Sequence, residues 1–355
     1  MYAADEEAET LAITLQDPIT RVAVELLYGV LADKDIITRA ARIINHTGAE
    51  LMLTKALSMS IDFSYGDFDL ISFHGRHAME RMPERTLALH HVAEIRSRRG
   101  ASSHQHNPFV ILCDHGADED HGSCYGFMLV YSGGFSAMVE KDQFDATRLV
   151  MGIQPENFRW KLQPEEAFDT PEVILSCAEG FAGLTHNYHR VIRQNICRGK
   201  YQYARRPVLL NSWEGSYFHF DDESLLRLAK NSSELGVELL VLDDGWFGKR
   251  NDDNSGLGDW FVNENKIKCG LPKLVQDINA MGLKFGIWVE PEMVNEDSDL
   301  FRAHPDWALQ IPGRGPARGR NQLLLNMSKP EVREYLFDSI SNILKCANIE
   351  YVKWD

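Results

Sequence analysis

The stretch PVLLNSWEGSYFHFDDESLLRLAKNSSELGVELLVLDDGW, Pro207–Trp246, carries the repeat that decides the fold of the second half of the chain. PVLLNSW reads as a buried strand, a short apolar run bounded by proline and polar residues. DDESLLRLAKNSSELG reads as a helix, with acids in the first turn and Gly236 at its end. VELLVLDDGW is the next strand. The grammar then repeats: LPKLVQDINAMG is a helix, LKFGIWVEPEM a strand, PEVREYLFDSISNILKCAN a helix with Pro330 at its first position, and IEYVKWD a strand. Apolar strands alternating with amphipathic helices call for a parallel sheet covered by helices, either a barrel or a doubly wound sheet. The strands end on NSW, DDGW, WVEPE and KWD, which favours a (β/α)8 barrel, because such barrels gather their active sites at the C-terminal rim. Only about half of an eight-stranded barrel fits between residues 207 and 355, so a C-terminally truncated barrel is expected.

Residues 1–185 have a different pattern. VAVELLYGVL, LMLTKALSMSIDF, PFVILCD and CYGFMLVYSGGFSAMVE are short β-branched and aromatic runs separated by Gly, Asp, Asn and Pro, as in a large antiparallel β-sandwich. The helical and then basic stretch 186–206 reads as a linker into the second domain, 207–355.

The charge balance, 37 Lys plus Arg against 52 Asp plus Glu for a net −15, argues against a nucleic-acid partner. No run is long and apolar enough for a membrane helix, and the acidic start MYAADEEAET is unlike a signal peptide, so a cytoplasmic location is expected. The six cysteines are scattered without metal-ligand spacing and read as mostly buried, reduced thiols. His90, His91, His104, His106, His115 and His121 also lack ligand spacing, so no metal is expected.

The strand ends supply Asp243, Asp244, Glu290, Glu292 and Asp355, with Trp213, Trp246, Trp288 and Trp354 nearby. Acids accept hydrogen bonds from vicinal hydroxyls and indoles pack on the apolar face of a pyranose, so this mixture suits a sugar. Glu290 and Glu292 flank Pro291 and read equally well as site acids or as solvated or arginine-paired side chains. Lys353 shares a strand face with Asp355, and a neighbouring cation would favour the ionised acid that a nucleophile requires. No glycine-rich phosphate loop or dinucleotide fingerprint follows the first strand, and no cofactor is expected.

At these motifs the sequence resembles the bacterial α-galactosidases of glycoside hydrolase family 36. The likeness is carried by DIITRAARIINH, SRRGASSHQHNPF and YGFMLVYSG in the first half. In the second it is carried by LLNSWEGSYFHF, LLVLDDGWFGKRNDDNSGLGDWFVN, GIWVEPEMVNEDSDLFRAHPDW, GRNQLLLNMSKPEVREYLF and IEYVKWD. The resemblance implies a β-sandwich followed by a (β/α)8 catalytic barrel that hydrolyses terminal α-linked galactose with retention, from sugars such as melibiose and raffinose. It places the nucleophile on Asp355, the sugar-holding aspartates on Asp243 and Asp244, and the rest of the galactose subsite on Trp288, Arg320 and Lys353. Trp213 falls at the mouth of the pocket. A homo-oligomer is expected by resemblance.

Two departures matter. Asn326 stands where the family usually has an aspartate, and the family's acid/base aspartate lies beyond the nucleophile, so it is absent from this chain. An incomplete α-galactosidase, itself unable to turn over melibiose, is therefore expected. The alternatives are a related α-N-acetylgalactosaminidase or α-galactosyl transferase, or a galactose-binding remnant without catalysis.

Overall fold

The computed structural model describes residues 3–4, 6–64 and 66–355. The chain divides into two compact units, one reaching to Ala204 and the other running from Arg205 to Asp355. Among the described residues no helix is long and apolar enough to cross a membrane.

The first unit is built on two antiparallel sheets. The larger runs in the order Glu9–Gln16, Val22–Leu31, Ile36–Asn45, Val173–Glu179, Ser123–Leu129, His106–Asp114, Phe68–Arg76 and Met79–Leu87, with Ala167–Asp169 added alongside Ile36–Asn45. The smaller runs Leu57–Phe63, Thr147–Ile153, Phe135–Lys141 and Val92–Arg96. Alternation decides which side chains turn inward: in Thr147–Ile153, Thr147, Leu149 and Met151 are buried, while Arg148 between the first two is exposed and pairs with Asp62 on the neighbouring strand. The inward residues of both sheets, among them Phe68, Val110, Leu112 and Phe127 facing Phe135, Ala137, Leu149 and Met151, form one apolar core.

The helix Gly180–Val191 packs on the larger sheet and belongs to this unit, with Leu184, Tyr188 and Val191 against Ile111, Cys113, Cys124 and Ile174. Tyr188 donates its hydroxyl to the Ile174 carbonyl at 3.0 Å. Its ring lies so close to the sheet that a Cβ at Gly126 would stand 2.6 Å from the ring carbon Cε2, which is why a glycine interrupts this strand. The cysteines depart from the sequence reading. All six thiols are free, but only Cys113 and Cys124 are buried, whereas Cys177, Cys269 and Cys346 are exposed. Strand alternation turns Cys177 outward, and a buried strand residue such as Ser176 beside it shows that residue type alone did not fix the facing.

The second unit is a four-stranded parallel sheet in chain order, Leu209–Asn211, Leu239–Leu242, Lys284–Val289 and Tyr351–Trp354. The second strand, LLVL, is buried along its whole length, as a strand covered on both faces must be. Helices Asp222–Glu234, Leu271–Ala280 and Pro330–Cys346 occupy the connections. The first begins at a reciprocal cap, in which Ser224 N donates to Asp221 Oδ1 at 2.8 Å and Asp221 N donates to Ser224 Oγ at 2.9 Å. The other two carry proline in their first turn, where a missing N–H costs nothing. Leu225, Leu274, Ile278, Val332, Leu336 and Ile340 turn from these helices into a core shared with Leu240, Leu242, Phe285 and Ile287 of the strands. A small antiparallel pair, Met293–Val294 with Leu323–Leu324, ties the loop after the third strand to the segment around Gln322.

Candidate active site

Parallel strands place all their C-terminal ends along one edge, so the residues that follow Asn211, Leu242, Val289 and Trp354 become neighbours without being neighbours in sequence. Asp243 is buried there and holds two partners: Lys353 Nζ donates to its Oδ2 at 2.9 Å and Asn211 Nδ2 at 2.6 Å. Three strands are joined through this one carboxylate. Lys353 therefore pairs with Asp243, and among the described residues it makes no ion pair with Asp355, contrary to the sequence reading. Its strand neighbour across the sheet is Trp288, not an acid.

Asp244 is equally buried but faces a different partner. The backbone turns at Gly245, whose φ of 103° lies in the left-handed region that favours glycine, and the chain returns to bring Arg250 against it. Arg250 is completely buried. Its Nη2 donates to Asp244 Oδ2 at 2.8 Å and its Nε to Oδ1 at 3.0 Å, while Nη1 reaches Ser255 O and Asn295 Oδ1, both at 3.1 Å. Burial pushes the Asp244 carboxyl above the usual carboxylate range, the Arg250 guanidinium pulls it back, and the neighbouring Asp243 charge pushes it up again. Lys266 braces the same turn, donating to the carbonyls of Gly245 and Arg250 at 2.9 Å each. Burial pushes its ammonium down to about 8.

On the third and fourth strands, Trp288 is buried and its indole Nε1 donates to Asp355 Oδ2 at 3.0 Å, while Asp355 N donates to the Val289 carbonyl at 2.9 Å. Trp246 Nε1 in turn donates to the Trp288 carbonyl at 2.9 Å. Trp246, Trp260, Trp288 and Phe247 form a ring cluster behind the carboxylates, with Phe247 stacked on Trp288 at 6.0 Å. Glu290 lies on this edge too, half-buried, accepting from Gln322 Nε2 at 3.3 Å. Burial, and next the Asp355 charge, push its carboxyl up to about 7. Glu292 instead accepts from Trp354 Nε1 at 3.1 Å.

Two further residues singled out from the sequence sit at the margin. Trp213 is half-buried, its ring edge-on to Tyr217 and Phe218 at 5.2 and 5.1 Å, and its backbone N–H donates to Asn211 Oδ1. Arg320 is largely exposed, on left-handed backbone with φ 49°, and donates to Asp253 Oδ1 at 3.1 Å. Asp253 also lies 3.5 Å from Arg250, so Arg320 reaches Asp244 through an alternating chain of charges. Asn326 accepts from the Ser328 hydroxyl at 2.6 Å, a loop contact away from the carboxylates. Sequence reasoning missed Asn211, Arg250, Asn295 and Gln322. Only Arg250 left a signal, a lone arginine six residues after a buried acid. Among the described residues no His, Cys, Asp and Glu cluster could hold a metal ion.

The comparisons agree over both units. A family model described as Melibiase matches residues 167–355, and one described as the glycosyl hydrolase family 36 N-terminal domain matches 1–163. A bifunctional alpha-galactosidase/sucrose kinase from Mediterraneibacter gnavus is 52% identical, aligned over 100% of this chain and 38% of its own length. The alpha-galactosidase AgaA from Geobacillus stearothermophilus is 48% identical over 99% of this chain and 48% of its own. A crystal structure of a variant of that enzyme with raffinose superimposes with a TM-score of 0.97 at 47% identity, covering 100% of this chain and 49% of that one. The chain thus spans about half the length of the curated relatives it matches. With a carboxylate-lined strand edge inside the Melibiase match and the two-sheet unit inside the other, the chain belongs to glycosyl hydrolase family 36.

Proposed function

We propose that this chain carries the sugar-binding and nucleophile-bearing part of a retaining α-galactosidase acting on melibiose-type and raffinose-type sugars. The observation that supports this reading most is the convergence of Asp243, Lys353, Trp288 and Asp355 at the ends of neighbouring parallel strands. In this reading the four strands are the first half of a (β/α)8 barrel preceded by a β-sandwich, with boundaries at 1–185, 186–206 and 207–355. Relatives from G. stearothermophilus have been crystallised with raffinose, stachyose and 1-deoxygalactonojirimycin.

Asp355 is assigned as the nucleophile. Its Oδ2 is held by the Trp288 indole, which leaves the second oxygen to attack the anomeric carbon and form a glycosyl-enzyme ester. Asp243 and Asp244, fixed by Lys353 and Arg250, accept hydrogen bonds from the sugar's hydroxyls. Trp288 lines the subsite, Arg320 closes it from the loop, and Trp213 stands at its mouth. Retention requires a second carboxyl about 5–5.5 Å from the nucleophile to protonate the leaving oxygen. No residue of this chain is assigned that role. The protein works in the cytoplasm, and copies associate through the two-sheet unit.

Calorimetric titration with galactose tests the binding half of this reading. Asp243→Ala and Asp244→Ala each remove a charged acceptor, and affinity should fall by about 1.5–3 kcal/mol, roughly ten- to 150-fold. A chain that does not bind galactose, or two variants that bind it as the parent does, would refute the assignment.

A further inference from the structure

Two of the five strand-end acids are paired with a cation, and the contrast with the other three is informative. Asp243 has Lys353 and Asp244 has Arg250, each within 2.9 Å. Glu292 has the Trp354 indole. Glu290 and Asp355 remain, and among the described residues neither is within ion-pair distance of a cation; each accepts one neutral hydrogen bond, from Gln322 and from Trp288. They are also adjacent. Val289 pairs with Trp354 in register and Asp355 N donates to the Val289 carbonyl, so the next residue on each strand is Glu290 on one side and Asp355 on the other. Glu290 is half-buried and its neighbour Asp355 is exposed, and two adjacent carboxyls cannot both ionise without cost to the buried one.

The groups that act on Glu290 come from every element around it. Asp355 on the fourth strand and Asp244 after the second oppose its charge, while Arg320 and Arg250 favour it. Both arginines are already committed, Arg250 to Asp244 and Arg320 to Asp253. Among the described residues, the cations that act on this pair of acids are therefore already paired with other carboxylates.

We propose that Glu290 is a charge-adapting residue of the galactose site: it keeps its proton when the site is empty or holds a neutral sugar, and releases it to solvent when positive charge enters beside Asp355. The inference rests on the galactose-site reading and adds to it a proton-linked role for Glu290 toward galactose-configured cations. It acts through Asp355, so that positive charge developing on the sugar ring meets two carboxylates in place of one. No bond to carbon changes in this step; a proton moves from Glu290 to water.

The probe is a galactose-configured iminosugar bearing a protonated ring nitrogen, with neutral galactose as the control. Proton exchange on binding is measured near pH 6 by calorimetry in buffers of different ionisation enthalpy. The parent chain should release close to one more proton per iminosugar than Glu290→Gln does, and galactose should release none from either. Infrared spectra of chain carrying labelled glutamate should lose a protonated-carboxyl band when the iminosugar binds and keep it when galactose binds. That spectrum alone decides the matter if Glu290→Gln does not fold. Equal proton release in the two chains, or a parent spectrum unchanged by the iminosugar, overturns the inference while galactose binding still stands. Loss of galactose binding overturns the site reading itself.

Discussion

Replacing Arg250 with methionine removes the cation of a pair in which the guanidinium is completely buried and the carboxylate nearly so. Methionine fills much of the same volume, so the cost is electrostatic in origin. Asp244 loses both guanidinium hydrogen bonds, and the Ser255 carbonyl and Asn295 amide oxygen each lose a donor. Breaking a buried pair from one side typically costs about 3–5 kcal/mol, because it leaves the other charge uncompensated. For a unit with a stability of order 5–15 kcal/mol this is a large fraction, equivalent to roughly a hundred- to several-thousand-fold in the unfolding equilibrium. The pH dependence identifies the cause. Asp244 already has its folded-state affinity for protons raised by burial, with Arg250 holding it down, so in the variant it rises further. A carboxyl whose folded value lies above its unfolded one binds more protons in the native state, so its contribution to stability falls as pH rises through that interval. The deficit of Arg250→Met relative to the parent should therefore be full at neutral pH and shrink as acid protonates Asp244. Urea unfolding followed by tryptophan emission across the pH range measures it. Adding Asp244→Asn to Arg250→Met should recover most of the loss. A deficit below about 1 kcal/mol at pH 7, or one that does not change with pH, would refute the argument.

Lys266 offers the opposite sign. Its ammonium, pushed down to about 8, binds fewer protons in the folded chain than in the unfolded one, so stability should rise between about pH 8 and 10.5. Urea midpoints of Lys266→Met should lack that rise, and parallel curves for parent and variant would count against it. Asp221→Ala, which removes the reciprocal cap of the helix Asp222–Glu234, should cost about 1 kcal/mol in the same assay; no change would mean that the helix end is held by packing alone. Gly126→Ala should destabilise the first unit by about 1–3 kcal/mol, because the added carbon collides with the Tyr188 ring. A neutral result in thermal unfolding would show that the helix Gly180–Val191 can shift outward freely.

Much of the second unit was legible because its strands are apolar without interruption and its helices carry clear ends. DDESLLRLAKNSSELG forms a helix over Asp222–Glu234 as its acids and Gly236 indicate, and LLVL is a buried strand. That Asp243 and Asp244 belong to the strand edge was also legible, since an acid pair after four buried residues has nowhere else to go. Their partners were not. Arg250 sits in a run, KRNDDNSG, whose composition reads as solvated loop, and only the turn at Gly245 folds it inward. The pairing of Lys353 was misread because strand periodicity tells which face a side chain takes and not which neighbouring strand offers the nearest acid. Glu290 and Glu292, two residues apart across a proline, could not be separated in sequence. The pair Met293–Val294 with Leu323–Leu324 separates them by drawing Gln322 toward one, while Trp354 takes the other. In the first unit the strand-rich character was evident from its short β-branched runs. The order of its strands was not, because non-local pairings such as Phe68–Arg76 with His106–Asp114 leave no mark in local spacing.

The ring cluster behind the carboxylates has an optical consequence. Trp246, Trp260 and Trp288 are successive neighbours at 6.3 Å, close enough that light absorbed by one indole migrates among the three before it is emitted. Trp288 hands its N–H to Asp355, so the innermost chromophore of this antenna is wired to the carboxylate at the end of the fourth strand. Excitation gathered anywhere in the cluster samples that bond. The glow of the second unit is thus a built-in gauge of the surroundings of Asp355, with no dye attached, whereas Trp160 in the first unit, on a short strand paired with Leu51–Leu53 and against the Phe168 ring, lies outside this cluster.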